Sequence, residues 1–255
     1  MKEGCFRKMK AIILAGGYGR RMWPITLNTA KPLLLICGRH VIDYVMEKLA
    51  EIDCLEKVIV LTNLKFEEDF RRWAKNYSNA LVEIKVEESR SEEEKLGAVK
   101  ALARISPEID SDMIVVAGDN LFTDSLKPMF EKYSGKPIIA LYDVNDAETA
   151  RMYGVVQLDD KNRIIDFVEK PEKPHTTLVS TGVYIFPKQV FGMIEEYLSR
   201  GGGGDRLGDF IQWLYRRVTV YGHILGGEWW DIGSFESYYK AIESLCKRRS
   251  QQRSG

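Results

Sequence analysis

A glycine-rich turn followed by two fixed positive charges stands near the start of the chain, within residues 14–32. An apolar segment that ends at Leu14 runs directly into three closely spaced glycines: Gly16, Gly17 and Gly19. Glycine lets the backbone fold back tightly and bring bare N–H groups up to an anion. Arg21 and Lys31 follow within reach of such an anion. The pattern therefore predicts a polyphosphate cradle, although an ordinary strand–helix turn also uses glycine.

Two familiar phosphate-binding motifs do not fit this segment. A P-loop needs Gly-x4-Gly-Lys-Ser/Thr, which the chain lacks. A dinucleotide fingerprint needs Gly-x-Gly-x-x-Gly, and its third glycine, counted from Gly17, falls on Met22. The further spacing to Pro24, Thr26 and Lys31 favours another kind of phosphate site over an ordinary turn.

Two aspartates could hold a cation. Asp119 follows the apolar run at residues 113–117, and such a carboxylate at the edge of a sheet suits Mg²⁺, although Asp-Asn is also a common turn. Asp231 follows two tryptophans, where a buried carboxylate needs a metal or a cation nearby; it could instead cap the last helix. Because Mg²⁺ keeps water and phosphate ligands, these two carboxylates would suffice.

The elements that must position these groups alternate between strand and helix in the first half of the chain. Short apolar strands are predicted at 10–14, 57–62, 82–86 and 113–117, with helices at 41–52, 66–75 and 97–104. The second half is predicted as strands at 137–143, 154–158, 163–169, 179–186 and 218–223, with a turn at 160–162 and helices at 191–199, 207–215 and 234–247. The alternation predicts a single α/β domain with a Rossmann-like, mostly parallel mixed sheet flanked by helices. Ligands would bind at the carboxyl ends of its strands.

The predicted domain covers residues 9–249, between an N-terminal extension at 1–8 and a basic polar tail at 250–255. The glycines at 201–204 are interpreted as either a flexible linker or a lid over a ligand.

Composition argues against several partners. Lys+Arg and Asp+Glu both number 37, so the chain offers no net charge for nucleic acid or an anionic membrane. No apolar run approaches the ~20 residues of a membrane span. Four cysteines and three histidines show no metal-ligand spacing, and Cys37 and Cys54 are expected to be small buried apolar residues in a reducing cytosol. We therefore predict a cytoplasmic protein that binds neither nucleic acid nor membrane.

Residues 14–32 resemble the signature of the sugar-1-phosphate nucleotidyltransferases, L-A-G-G-x-G-x-R-[ML]-x-P-x-T…K-P, as found in glucose-1-phosphate thymidylyltransferases and UTP–glucose-1-phosphate uridylyltransferases. Arg21 and Lys31 fall on its Arg and Lys, and Arg20 stands where relatives often have Thr. Later segments extend the resemblance, in the family order, from about residue 10 to 240: Gly118-Asp119-Asn120, Tyr153-Gly154-Val155, Glu169-Lys170-Pro171, Thr181-Gly182-Val183 and Trp230-Asp231-Ile232-Gly233.

The resemblance implies a role for each matched residue. Arg21, Lys31 and Lys170 would be catalytic, and Asp119 and Asp231 would carry Mg²⁺. The nucleotide would contact the signature turn and one later glycine: Leu14, Ala15, Gly16, Gly17, Gly19 and Gly97. The sugar phosphate would contact residues of the later segments: Asn120, Gly154, Glu169, Lys170, Thr181 and Arg200. The implied reaction joins an NTP to a sugar 1-phosphate and releases pyrophosphate, and homo-oligomers are frequent in the family.

Two departures from the thymidylyltransferase pattern leave the base open. No Gln precedes Gly97 in the acidic segment 87–95, which is interpreted either as a solvated loop or as a base contact through Glu88. Arg200 is followed by glycines instead of Gly-Glu-Leu-Glu. The resemblance favours dTTP or UTP with glucose 1-phosphate. The alternatives are a mannose-1-phosphate guanylyltransferase and a non-catalytic regulatory subunit, which would be expected to lose the charged residues retained here. A glycosyltransferase is disfavoured because Asp110-Ser111-Asp112 precedes its strand instead of following it.

Overall fold

Over residues 8–78 and 81–253, which the computed structural model describes, nine strands form one central mixed sheet and two further strand pairs lie beside it. The strands are β1 (Met9–Leu14), β2 (Leu35–Ile36), β3 (Arg39–His40), β4 (Leu55–Asn63), β5 (Val82–Glu87), β6 (Met113–Ala117), β7 (Asn120–Phe122), β8 (Ile138–Asp143), β9 (Gly154–Leu158), β10 (Ile164–Glu169), β11 (Leu178–Phe186), β12 (Tyr221–Ile224) and β13 (Trp229–Asp231). The helices are α1 (Val41–Ala50), α2 (Glu67–Ala74), α3 (Ala98–Ile105), α4 (Lys127–Glu131), α5 (Ala147–Ala150), α6 (Gln189–Ser199), α7 (Leu207–Leu214) and α8 (Phe235–Arg253).

The central sheet runs β10-β9-β11-β6-β1-β4-β5, and β8 pairs with β11 and β12. Strands β6, β1, β4 and β5 are parallel, whereas β11 runs antiparallel to β6, β8 and β9. This arrangement confirms the predicted mixed sheet of one α/β domain. The predicted turn at residues 160–162 joins the antiparallel pair β9 and β10.

Both faces of the sheet are covered, as β1 shows. Ala11 and Ile13 belong to one buried apolar cluster, whereas Ile12, which points the opposite way, belongs to a second one. A sheet buried on both faces needs continuous apolar strands, and β6 (Met-Ile-Val-Val-Ala) has this character. The central strands are therefore a rigid platform for the loops that follow them.

The strand order reverses at β1, which lies between β4 and β6. The loops leaving β1 and β6 therefore separate at the carboxyl edge of the sheet, where ligands bind in open α/β sheets. The Gly118 N–H donates to the Leu14 carbonyl over 2.9 Å, so the two loops start in contact. The glycine-rich turn and Asp119 both begin at this point.

The strand pair β7–β13 is an element that the sequence pattern did not predict. Asp231 lies opposite Asn120 in its antiparallel register. The Ile232 N–H also donates to the Asp119 carbonyl over 2.9 Å. This pairing joins segments that are more than a hundred residues apart and brings the two candidate metal ligands together.

The glycine run at residues 201–204 caps two helices. Gly201 has φ +85° directly after the last turn of α6 and donates its N–H to the Leu198 carbonyl over 3.0 Å. The Gly204 carbonyl accepts from the Val99 N–H over 3.0 Å, and the Asp205 carbonyl accepts from the Ala98 N–H over 2.9 Å. Gly204 and Asp205 therefore hold the first turn of α3 in place.

The expectation of reduced cysteines was wrong, although Cys54 is buried as expected. Cys37 and Cys246 form a disulfide with a Cα–Cα distance of 5.5 Å, and Cys54 is also disulfide-bonded. Cys246 lies on α8, which continues to Arg253, so the predicted basic tail begins inside a helix. The predicted extension lies outside the described residues except for Lys8. Among the helices described, none is both long and apolar enough to cross a membrane.

Candidate active site

Five charged side chains from four separate segments of the chain come together around Asp231. Burial, followed by the like charge of Asp119, raises the pKa of Asp231 to about 6. Three cations lie close enough to oppose that rise: Lys31, Arg21 and Lys170. We call these five residues the charge cluster. It unites the three predicted catalytic cations with the two predicted metal ligands.

Lys31 is the most enclosed cation of the charge cluster. Its ammonium group pairs with the Asp119 carboxylate, and the two side chains are only 13% and 22% exposed. Burial alone would lower the pKa of Lys31, but the carboxylates of Asp119 and Asp231 outweigh burial and raise it. Lys31 therefore stays protonated and keeps its charge at neutral pH.

The local backbone explains how Lys31 and Arg21 reach Asp231. Gly19 has φ +64°, and a Cβ there would lie 3.0 Å from Lys31 Cγ, so the turn passes directly over the Lys31 side chain. The Thr26 hydroxyl fixes this turn by donating to the Gly19 carbonyl over 2.8 Å. A Cβ on Gly233 would lie 3.1 Å from Asp231 Oδ2 and 3.2 Å from Arg21 Nη2, so these two groups converge on one point.

A cavity of about 340 Å³ opens beside the charge cluster, and we call it the sugar cavity. Its lining includes all the predicted sugar-phosphate residues except Arg200: Asn120, Gly154, Glu169, Lys170 and Thr181. It also includes residues to which the sequence analysis gave no individual role, among them Tyr153, Arg206, Gly208 and Trp229. Arg21, Asp119 and Asp231 line the same cavity, so the charge cluster forms one of its walls.

The fold uses part of the hydrogen-bonding capacity of the cavity residues. The Trp229 Nε1–H donates to Asn120 Oδ1 over 2.6 Å, which fixes the orientation of that amide. The Thr181 hydroxyl donates to the Ala140 carbonyl over 2.9 Å, so its oxygen remains available only as an acceptor. Both side chains are therefore held in place before any ligand arrives.

Glu169 lies in a narrow gap between two glycines. A Cβ on Gly208 would lie 1.9 Å from Glu169 Oε2, and one on Gly154 would lie 3.1 Å from the same oxygen. Burial raises the pKa of the Glu169 carboxyl, and the neighbouring Lys170 opposes that rise. Glycine at these two positions is what allows the carboxyl group into the cavity wall.

A second cavity, of about 200 Å³, lies at the start of the glycine-rich turn, and we call it the nucleotide cavity. Most of the predicted nucleotide-binding residues line it: Leu14, Gly16, Gly17 and Gly97. Ala15 is buried and donates its N–H to the Leu61 carbonyl over 2.8 Å. Gly19 lies further along the turn toward Arg21. The turn thus runs from the nucleotide cavity to the charge cluster.

Two sequence expectations do not match these cavities. Arg200 follows the end of α6 with its side chain 63% exposed and pairs with Glu196 over 3.0 Å, whereas Arg206 lines the sugar cavity. Glu88 is exposed, whereas its neighbour Glu87 is buried and lines the nucleotide cavity. Nothing in the sequence identifies Arg206 instead of Arg200 as the cavity residue. Glu87, in contrast, could have been identified from its position at the carboxyl end of β5.

The paired carboxylates suit a cation that takes its remaining ligands from a substrate. Within residues 8–78 and 81–253, no group of three or more His, Cys, Asp or Glu side chains could hold a metal ion by itself. Mg²⁺ is bound through one or two carboxylates together with water and substrate phosphates. Asp119 and Asp231, which are half-buried near each other and line the sugar cavity, fit that requirement.

Comparison with known proteins assigns the family. The nucleotidyl transferase family matches residues 10–248, so the chain belongs to that family. It is 34% identical over 225 residues to the bifunctional protein GlmU of Methanocaldococcus jannaschii, covering 88% of this chain and 51% of that protein. It is 26% identical over 246 residues to the UTP–glucose-1-phosphate uridylyltransferase AglF of Haloferax volcanii, covering 95% and 99%.

Solved structures share the fold over nearly the whole chain. A Bacillus anthracis protein described as a candidate glucose-1-phosphate thymidylyltransferase superposes with a TM-score of 0.82 at 26% identity, covering 92% of this chain and 94% of its own. A UDP-glucose pyrophosphorylase superposes with a TM-score of 0.77 at 22% identity, covering 94% and 99%. The predicted fold and the predicted family are both confirmed.

Proposed function

We propose that this protein transfers a nucleotidyl group from an NTP to a sugar 1-phosphate, giving an NDP-sugar and pyrophosphate. The observation that carries the proposal is the charge cluster: three cations and two carboxylates meet in one wall of the sugar cavity. The glycine-rich turn connects this wall to the nucleotide cavity. Such an arrangement can hold two phosphorylated molecules with their phosphates facing each other.

The chemistry needs charge and position more than proton transfer. A phosphate monoester is already largely dianionic at neutral pH, because its second pKa is about 6, so its oxygen can attack without a general base. In agreement with this, no histidine lines either cavity within the part of the chain that the structure describes. The barrier lies in bringing anions into line and in stabilising the charge on the α-phosphorus and on the leaving pyrophosphate.

Each cation of the charge cluster has a separate task in the proposed reaction. Lys31 neutralises the α-phosphate, and it is suited to this because it stays protonated in a buried position. Arg21 binds the departing pyrophosphate at the end of the glycine-rich turn. Lys170, which lines the sugar cavity, holds the sugar phosphate in line for attack. The N–H groups of the turn cradle the remaining phosphate oxygens.

Mg²⁺ is the proposed cofactor, and Asp119 and Asp231 would hold it. When bound, the ion would supply positive charge that offsets the negative charge of the substrate phosphates. The β7–β13 strand pairing brings the two aspartates near each other, so the fold itself positions both protein ligands before a metal binds.

The chain spans about half the length of the GlmU proteins that it matches, so the substrates are inferred from the site and from full-length relatives. AglF is named for UTP and glucose 1-phosphate, and the Bacillus anthracis protein for glucose 1-phosphate and a thymidylyl group. These names favour glucose 1-phosphate as the sugar substrate. A cytoplasmic location and a homo-oligomer remain predictions.

An isosteric substitution tests the proposal. Asp231→Asn removes one charge without removing the side chain, and we expect turnover to fall ~10²- to 10³-fold, the usual effect of losing one charge-stabilising group. Asp160→Asn is the matched control, because Asp160 is exposed in the turn between β9 and β10. The assay is sugar-dependent pyrophosphate release with Mg²⁺. Equal rates in the two variants would refute the role of the charge cluster.

A further inference from the structure

Glu87 is a buried carboxylate that the proposed reaction does not use. It is the last residue of β5, is 7% exposed and lines the nucleotide cavity. Gly16 borders it directly, since a Cβ on Gly16 would lie 3.5 Å from Glu87 Oε1. Gly16 and Gly17 lead from this cavity to the phosphate-binding turn, so Glu87 stands on the side where the base of a bound nucleotide would lie.

A chain of hydrogen bonds holds the Glu87 carboxylate in a fixed orientation. The Ser89 hydroxyl donates to Glu87 Oε1 over 2.7 Å, and because its single hydrogen is used there, the Tyr18 hydroxyl donates to Ser89 over 3.1 Å. Tyr18 and Ser89 are both buried. The network uses one acceptor site on Oε1 and leaves the other acceptor sites of the carboxylate for a ligand.

The cation nearest in the same cavity is already engaged. Lys95 lines the nucleotide cavity but pairs with Glu92 over 2.5 Å and with Asp205 over 3.3 Å. Among the residues that the structure describes, Glu87 has no ion-pair partner of its own. Its negative charge is therefore left to interact with whatever enters the cavity.

An ionised carboxylate accepts hydrogen bonds and donates none. On its Watson–Crick edge, guanine presents two adjacent donors, N1–H and the 2-amino group, which match the two carboxylate oxygens. Adenine and cytosine present one amino group beside a ring-nitrogen acceptor. Uracil and thymine present one N–H between two carbonyl oxygens, which the carboxylate would repel.

We infer that Glu87 reads the base and that the nucleotide is a guanosine triphosphate. The inference rests on the proposed function, because it concerns the NTP of that reaction. The preference for guanine can nevertheless be measured by nucleotide binding alone, without any turnover. It departs from the thymidine and uridine preferences that the resemblance favours, because Glu87 carries only acceptors. A Gln at this position would carry both an NH₂ group that donates and an oxygen that accepts, as the Watson–Crick edge of uracil requires.

Binding of each nucleotide to the whole protein tests the inference without requiring turnover. Isothermal titration with Mg²⁺ and GTP, UTP, dTTP, CTP or ATP should give the tightest binding for GTP, by about 10- to 100-fold, the usual discrimination of a bidentate contact. Inosine triphosphate, which lacks the 2-amino group, should bind wild-type protein about tenfold more weakly than GTP. This comparison needs no variant and therefore holds even if a substitution at Glu87 impairs folding.

The variant Glu87→Gln should reverse the preference toward UTP and dTTP. Glu88→Gln is the matched control, because this neighbour is exposed, and it should leave the wild-type order unchanged. Equal binding of GTP and inosine triphosphate, tighter binding of any other base, or an unchanged order in Glu87→Gln would each overturn the inference. Selective GTP binding without any transfer to a sugar phosphate would refute the proposed function and leave the inference standing.

Discussion

Replacing Lys31 by Met removes the buried positive charge of the charge cluster and keeps most of the side-chain volume. Breaking a fully buried ion pair by removing one partner costs about 3–5 kcal/mol. Because Lys31 and Asp119 keep 13% and 22% exposure, we expect the free energy of unfolding to fall by about 2–3 kcal/mol. For a domain of this size, that lowers Tm by about 5–10 °C.

The same variant should lose far more activity than stability. Lys31 is proposed to neutralise the α-phosphate, and removing one such preorganised group costs ~10²- to 10³-fold in kcat. The assay is pyrophosphate release at saturating substrate and Mg²⁺, run well below the Tm of the variant so that all protein is folded. Differential scanning calorimetry on the same preparations gives the stability.

Lys57→Met is the control for both measurements. Lys57 pairs with Glu83 over 2.5 Å, but the two side chains are 36% and 34% exposed, and surface pairs contribute only about 0–1 kcal/mol. We expect its activity to match wild type. If Lys31→Met kept more than a tenth of the wild-type kcat, the assignment of Lys31 would be wrong.

Three further predictions concern the sugar cavity, the disulfide and acid stability. Gly208→Ala should raise KM for the sugar phosphate at least tenfold, because the new Cβ would lie 1.9 Å from Glu169 Oε2 and displace that carboxyl. Removing the Cys37–Cys246 disulfide, which spans 209 residues, by Cys246→Ser should lower the free energy of unfolding by up to about 5 kcal/mol, measured as the difference in Tm between the variant and wild type. Burial and a neighbouring lysine lower the pKa of His223 in the folded protein. As the pH drops, this imidazole is therefore protonated in the unfolded chain before it is protonated in the folded protein. Stability should therefore fall as pH drops below about 6.5, and a glutamine at that position should flatten the dependence seen by thermal unfolding.

Each of these predictions has a result that would contradict it. Gly192 on α6 has open space around it, so Gly192→Ala should leave KM unchanged and add about 0.5–1 kcal/mol of stability. A KM for Gly208→Ala equal to that of this control would show that Glu169 does not contact the sugar phosphate. An unchanged Tm in Cys246→Ser would show that the Cys37–Cys246 disulfide does not stabilise the fold. If stability depended on pH in the same way in wild type and in the His223 variant, the acid sensitivity would arise from another group.

The sequence was most informative where the local backbone and the proposed function require the same residue types. Gly19 has φ +64°, which glycine adopts readily, and the proposed phosphate contact also calls for glycine, so the position of this turn after β1 was predictable. The apolar run of β6 predicted a buried strand, and this placed Asp119 at the carboxyl edge of the sheet. These are local requirements, and the residues that meet them are adjacent in the chain.

What could not be predicted depends on contacts between distant segments. The pairing of β7 with β13 rests on three residues in each strand, too few to show a period. Arg200 and Arg206 lie on either side of the glycine run, and only the end of α6 at Ser199 decides which one reaches the sugar cavity. The Cys37–Cys246 disulfide joins a hairpin to the last helix, and four cysteines alone allow several pairings.

The products of the wild-type protein test the central claim most directly. The purified chain would be incubated with Mg²⁺, one NTP at a time and either glucose 1-phosphate or mannose 1-phosphate, and the products separated by anion exchange. The account predicts equimolar pyrophosphate and NDP-sugar, with neither formed when the sugar phosphate is omitted. Pyrophosphate release that does not depend on a sugar phosphate, or the absence of an NDP-sugar with every pair of substrates, would contradict it.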